Sequence, residues 1–389
     1  MKIFDYKTMR WLQFLAVVLL LNACTDDAPG DQEKNSVLLE LRPYAPSFLE
    51  VEPIQTRAFP GDYGYYEYGD EHVNGQFSLQ SSLQKAAIHM LFFKDTDGSL
   101  EEGTFYKSGD SWRSRVEMAT DAYYLYGFIP DGVVDNISFP VDNDFRKGIT
   151  FRIKNLNSIT PNDVCVCVAA GRGGEAGPDT DFGIGKFRYQ ARQSEEKNYV
   201  YLLFDHIYAS ICFSFKVDAE SEYSKLRYIK LKKLRMLSSA MPKSVDATVT
   251  LYPNANGLNP LESGSVSFVG SSGSATVDGT GEKDGLLFDA TEGDATPVTI
   301  TTTPSNFLGC FVPGNYESFT LESTFDVYDM DDNRVRKDCV ATNSIKLQKI
   351  LSYGTWGRGV MLKLNLTVRP TYLYMLSEPD LDNPTVVEN

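Results

Sequence analysis

Apolar residues recur at every second position in short runs along most of this chain, and each run ends at Gly, Pro, Asp or Asn. Such a period places alternate side chains on opposite faces of a strand, so it constrains the fold more than any single motif does. The cleanest run sets Val360, Leu362, Leu364, Leu366 and Val368 on one face, with Met361, Lys363, Asn365 and Thr367 on the other. Val37, Leu39 and Leu41 form one face of the first strand. Further strands are expected at 88–93, 123–129, 164–169, 209–217, 228–237, 247–252, 298–302 and 319–328. Turns are expected at Asp95-Thr96-Asp97-Gly98 and Pro130-Asp131-Gly132. The 22 Tyr and 23 Phe also favour strands. Helical period is scarce, and the Gln/Ser/Glu/Lys-rich stretch 191–199 reads as a junction. A length of 389 residues allows two or three domains. The expectation is an all-β chain of two β-sandwiches, 58–198 and 199–389, with 262–285 as a long hairpin excursion or mobile loop.

Charge narrows the functional classes. Lys and Arg number 37 against 52 Asp and Glu, a net charge of -15. A duplex binder needs a basic face to release counterions, so a nucleic-acid partner is not expected. The three His residues (His72, His89, His206) lie far apart in sequence. No Gly-rich phosphate loop, CxxC pair or Gly-x-Ser-x-Gly elbow occurs. Asp329, Asp331 and Asn333 copy the first ligands of a calcium loop, but Arg334 replaces the bending Gly and Val340 the closing Glu, so a charged hairpin turn is expected. Lys225 to Met236 interleaves six basic residues with Leu and Ile. It reads either as a patch for an acidic glycan or, the favoured reading, as an edge strand whose charges discourage pairing. Tyr63, Tyr65, Tyr66 and Tyr68 crowd between Gly61 and Gly69; they either form a sugar-stacking platform or pin the start of the folded region. His206, entering a strand, reads as a structural hydrogen-bonding residue. No catalytic residue, metal site or cofactor is expected, and the chain does not read as an enzyme.

The N-terminus reads as a targeting segment, residues 1–23. Lys2, Lys7 and Arg10 precede an apolar run from Trp11 to Leu21, which is about half the length a membrane span requires. Leu21-Asn22-Ala23-Cys24 resembles a bacterial lipobox, making Cys24 the expected lipidated N-terminus and the tether to an outer membrane. Ordinary secretion with cleavage near Ala23 is the alternative. The acidic, Pro- and Gly-containing stretch after Cys24 reads as a solvated tether. The removed segment carries three bases and Asp5, net +2, so its loss takes the charge from -15 to -17. Five cysteines then remain: Cys165, Cys167, Cys212, Cys310 and Cys339. Cys165 and Cys167 share a strand face and are poorly placed to bridge each other; a Cys310–Cys339 disulfide stays open.

Several segments together resemble the fimbrillin family, the subunits of type V pili. They are the lipobox with its acidic tether, Phe204-Asp205-His206 leading into 209–215, Tyr123 to Pro130, and the closing Tyr372 to Ser377 with Asp380 to Pro384. The resemblance implies two transthyretin-like Greek-key β-sandwich domains in tandem, exported as an outer-membrane lipoprotein. It implies that an Arg-specific surface protease removes the first strand. Another pilin subunit's extended segment then fills the groove by donor-strand exchange.

Residues 24–57 would be the lipidated tether and removable strand, with the cut between Arg57 and Ala58. The other Arg in the expected tether, Arg42, is followed by Pro43, which makes that bond a poor trypsin-like substrate. An ordinary exposed linker Arg is the competing reading of Arg57. After Val368 no second long alternating strand follows, and in this family that points to a tip or minor subunit more than a stalk. The competing function is a surface glycan-binding β-sandwich lipoprotein, which needs the Tyr63–Tyr68 platform and no cleavage. The sequence identifies no host or bacterial surface receptor.

Overall fold

A computed structural model describes residues 35–43, 63–65, 87–108, 111–139, 142–174, 177–178, 187–191, 198–220, 222–252, 264–291, 293, 295–346 and 357–368. Among them there is no α-helix, only two single-turn 3-10 segments, Phe145–Lys147 and Glu222–Lys225. No helix of the described residues is long and apolar enough to cross a membrane. The first half of the chain gives β1 (Asn35–Pro43), β2 (Tyr63–Tyr65), β3 (Ile88–Lys94), β4 (Leu100–Ser108), β5 (Ser111–Met118), β6 (Ala122–Ile129), β7 (Asn136–Ser138), β8 (Ile149–Asn157), β9 (Ile159–Thr160), β10 (Cys165–Gly174), β11 (Gly177–Pro178) and β12 (Arg188–Gln190). Then come β13 (Asn198–His206), β14 (Ala209–Val217), β15 (Arg227–Pro242), β16 (Ser244–Leu251), β17 (Gly264–Gly270), β18 (Thr276–Val277), β19 (Leu286–Asp289), β20 (Val298–Thr299), β21 (Ser305–Phe311), β22 (Ser318–Asp329), β23 (Arg334–Lys346) and β24 (Val360–Val368). The all-β class expected from the alternation is the class observed.

The largest sheet runs β11-β10-β13-β1-β5-β4-β3-β6-β12. A second has the order β2-β24-β14-β21-β9, and a third β17-β16-β8-β7. The fourth runs β18-β15-β22-β23, with β19 and β20 also paired to β15. Strands from distant parts of the chain therefore share sheets: β16 pairs with β8, and β9 pairs with β21. Aromatic contacts link the sheets face to face. Phe128 of β6 meets Phe151 of β8 edge-on at 5.4 Å, and Phe307 of β21 meets Phe288 of β19 at 5.2 Å. Such pairs contribute beyond their area burial. Close approach of β3 and β6 depends on Gly127, where an added Cβ would lie 2.2 Å from the Met90 sulfur and 2.8 Å from the His89 carbonyl oxygen.

Local turn chemistry follows the sequence. In the turn after β3, Gly98 takes φ +72 and its N–H donates to the Lys94 carbonyl at 2.8 Å. Asp329 closes the β22–β23 hairpin: its carboxylate accepts from the Asp331 and Asn333 backbone N–H groups at 3.0 and 2.8 Å and from the Asn333 amide at 3.1 Å. This is the charged turn expected of Asp329, Asp331 and Asn333.

Of the two readings of 262–285, the hairpin is the one observed: β17 pairs antiparallel with the preceding strand β16, and β18 pairs with β15. The edge-strand expectation for the Lys-rich segment is corrected. The Lys-rich strand β15 is not an edge, since β22 lies on one side of it and β20, β19 and β18 follow one another along the other. Three of its charges are matched by carboxylates on β19, β22 and β23. Lys232 pairs with Asp326 at 3.5 Å and with Asp338, Lys233 with Asp289 at 3.5 Å, and Arg235 with Glu322 at 3.3 Å.

Candidate functional site

The feature that sets this fold apart is how the largest sheet returns on itself. At its start β10 pairs with β13, Cys165 opposite His206, and also with β6, Cys165 opposite Ile129. The hydrogen-bond path therefore passes β10-β13-β1-β5-β4-β3-β6 and arrives back at β10. Within that path β1 is the member supplied from the N-terminal side, lying between β13 and β5. It runs parallel to β13, with Leu39 opposite Asn198, Leu41 opposite Val200 and Pro43 opposite Leu202. The pairs β10–β13, β4–β5, β3–β4 and β3–β6 are antiparallel.

β13 forms a deeply seated wall, with Tyr199, Val200, Tyr201 and Leu202 all buried. On the other side, Val116 and Met118 of β5 are buried as well. A strand buried on both faces reads as a near-continuous apolar run, as β13 does. Without β1, β13 and β5 would each present a row of unpaired backbone groups beside apolar surface.

The expected site residues fall unevenly on the structure. Tyr63 and Tyr65 lie in β2, opposite Leu362 and Val360 of β24, so these two tyrosines belong to a paired strand. Cys24, Arg57, Ala58, Tyr66 and Tyr68 lie outside the described residues. The five cysteines Cys165, Cys167, Cys212, Cys310 and Cys339 are buried thiols, so the Cys310–Cys339 disulfide is not formed. Burial pushes the Cys167 thiol up to about 12, which leaves it unreactive at neutral pH.

A buried polar cluster does form, at the β13–β14 corner. Asp163 and His206 come together across the β10–β13 pairing, with His206 Nδ1 2.5 Å from Asp163 Oδ2. Cys165 Sγ lies 3.2 Å from each of those atoms. The second Asp163 oxygen accepts the Val164 N–H at 2.8 Å. The His206 carbonyl accepts from Arg358 Nη1 at 3.0 Å, and the Gly359 N–H donates to Tyr208 O at 2.8 Å, fastening the start of β24 to the same corner.

Asp, Cys and His are metal-ligand types, and these three are the one such group among the described residues. Their spacing is that of hydrogen bonds. Tetrahedral zinc ligands at about 2.0–2.3 Å from the ion stand roughly 3.3–3.8 Å apart, which a 2.5 Å N–O separation does not match. With Cys165 0% and Asp163 1% exposed, no substrate reaches the cluster. It holds the corner together, in the structural role expected for His206. Sequence reading had missed Asp163, because only the pairing of β10 with β13 brings it near His206.

No protein-family model matches the chain, and no curated protein matches it. Among solved structures it is similar to a candidate cell adhesion protein from Bacteroides uniformis, at 10% identity and TM-score 0.35, covering 86% of this chain and 93% of that one. A second candidate cell adhesion protein, from Bacteroides fragilis, gives 10% identity, TM-score 0.36 and coverage of 85% and 93%. The fimbrial anchor protein Mfa2 from Porphyromonas gingivalis gives 10% identity, TM-score 0.27 and coverage of 80% and 83%. Likeness at these scores assigns this chain no function.

Proposed function

We propose that this chain is the precursor of a cell-surface, fimbria-associated adhesion protein: a lipoprotein acylated at Cys24, cut between Arg57 and Ala58, and assembled by strand replacement at the β1 position. The observation that carries this reading is the place of β1. The segment expected to be released, 24–57, contains a strand that lies within the largest sheet, between β13 and β5. Its loss would expose backbone donors and acceptors and apolar surface together, and an incoming strand from another subunit would satisfy both. The partners are then other pilin subunits, an Arg-specific surface protease and, before cleavage, the outer membrane. The two-sandwich organisation and a tip or minor position in the fibre belong to the same reading.

The test is the intact mass and N-terminal identity of the protein in surface material sheared from its native host. A chain starting at Ala58, free of lipid and part of high-mass assemblies, supports the proposal. A chain starting at acylated Cys24 and retained in the membrane overturns it. Arg57→Ala should abolish incorporation into those assemblies; unchanged incorporation would sink the processing step.

A further inference from the structure

The last strand of a sheet leaves one row of backbone donors and acceptors unpaired, and folded chains blunt such edges with short strands, charged side chains, proline or bulges. Among the described residues, most strands at the ends of sheets are only two or three residues long: β2, β7, β9, β11, β12 and β18. The two long ones differ from each other. β23 carries Arg334, Arg336, Lys337, Asp338 and Lys346, and register shifts interrupt its pairing with β22. β17 carries no charge and no proline, and its 7 residues pair with β16 in unbroken register. The neutral run extends past the strand: no charged residue occurs from Ser263 to Val277, in a chain where 23% of residues are charged.

The side chains of β17 divide cleanly between its faces. Val266 and Phe268 are half-buried and pack against the core. Ser265, Ser267 and Val269 are exposed, Val269 by 66%. The one charge on the neighbouring β16, Asp246, is turned to its own fold. Its carboxylate accepts the Asn155 N–H at 3.0 Å and the Ser271 hydroxyl at 2.9 Å.

We propose that β17 pairs antiparallel with β17 of a second copy of this chain, about a two-fold axis. Copies of net charge -15 repel over most of their surface, so an interface between them needs a neutral place to meet. β17 is the long edge that offers one. A strand from an unrelated protein would have to match its alternation of small hydroxyls and apolar side chains; a copy matches by symmetry. Each cross-axis residue pair then occurs twice, and the contact closes at two copies. Val266 and Phe268 of both copies lie on one face of the joined sheet, and Ser265, Ser267 and Val269 on the other. Two four-stranded sheets become one continuous sheet across the axis. β17 and β1 belong to different sheets, so the proposal is independent of strand replacement.

The test is sedimentation velocity of the purified full-length chain at about 1–100 μM, the range in which a small interface is populated. A reversible monomer–dimer equilibrium is expected. Ser267→Lys and Val269→Lys, both at exposed positions, should each weaken the dimer at least tenfold, because like charges then meet across the axis. An equimolar mixture of Ser267→Lys with Ser267→Glu should restore it. Val340→Lys, on β23, leaves it unchanged. Circular dichroism identifies any variant that fails to fold. A monomer throughout that range, a dimer undiminished in both folded Lys variants of β17, or a Lys–Glu mixture no more dimeric than either variant alone overturns the proposal.

Discussion

Asp163 and His206 show at single-residue scale how this fold treats buried polarity. A carboxylate taken from water needs a partner and hydrogen bonds, and Asp163 has both in His206 and the Val164 N–H. Removing one member strands the other. His206→Ala should therefore destabilise the protein by about 3–5 kcal/mol. His206→Gln, which keeps a donor in reach, should cost about 1–2 kcal/mol. Denaturant unfolding of the three proteins checks the order. An Ala variant within about 1 kcal/mol of the parent would mean that the cluster is not what holds the corner. The structural character of His206 was legible in the sequence, because it leads into the apolar run 209–215 and the two other histidines lie far away. Its partner was not: Asp163 is 43 positions away, and alternation assigns a residue to a face without naming the strand beside it.

Elements repeat that division. The runs that became β3, β6, β14, β22 and β24 could be read from their period, and the Asp95–Gly98 and Asp329–Asn333 turns from their residue types. Pairing could not. Among the described strands, the first and the last each lie parallel to one partner, β1 on β13 and β24 on β14, and no hairpin can make a parallel pair. The Lys-rich β15 misled for a related reason: its compensating carboxylates sit on other strands, at Asp289, Glu322, Asp326 and Asp338. The slot itself yields a prediction. In protein beginning at Ala58, the backbone amides of 199–202 should exchange with deuterium markedly faster than in protein beginning at Cys24. A synthetic peptide of residues 35–43 added in excess should restore part of the protection. Equal exchange in the two forms would show that β1 contributes no pairing that matters.

For the molecule as a whole, acidity is the governing property. Hydrogen bonds hold several carboxylates below their ordinary value of 3.8: to Asp144 from the Arg146 side chain, to Asp246 from the Asn155 N–H, and to Asp329 from the Asn333 side chain. A depressed folded-state pKa contributes stability that is fully present above the unfolded value and is lost as pH falls through the folded one. With a net charge of -15, moderate acidification also relieves self-repulsion. The urea midpoint should therefore stay level or rise from pH 7 to about 5 and fall below about 4. A midpoint still rising at pH 3 would refute the carboxylate contribution.

Distance along the chain adds one more consequence. Leu39 of β1 meets Asn198 of β13, a separation of 159 residues, and closing a loop of that length costs roughly 4–5 kcal/mol of chain entropy. The strand made first is thus among the last to be seated. While the backbone between β1 and β3 is intact, β1 competes for its slot at an effective concentration set by its tether, on the order of millimolar. One cut in that connection turns a part of the protein into a dissociable ligand, and dilution alone then favours whichever strand arrives next.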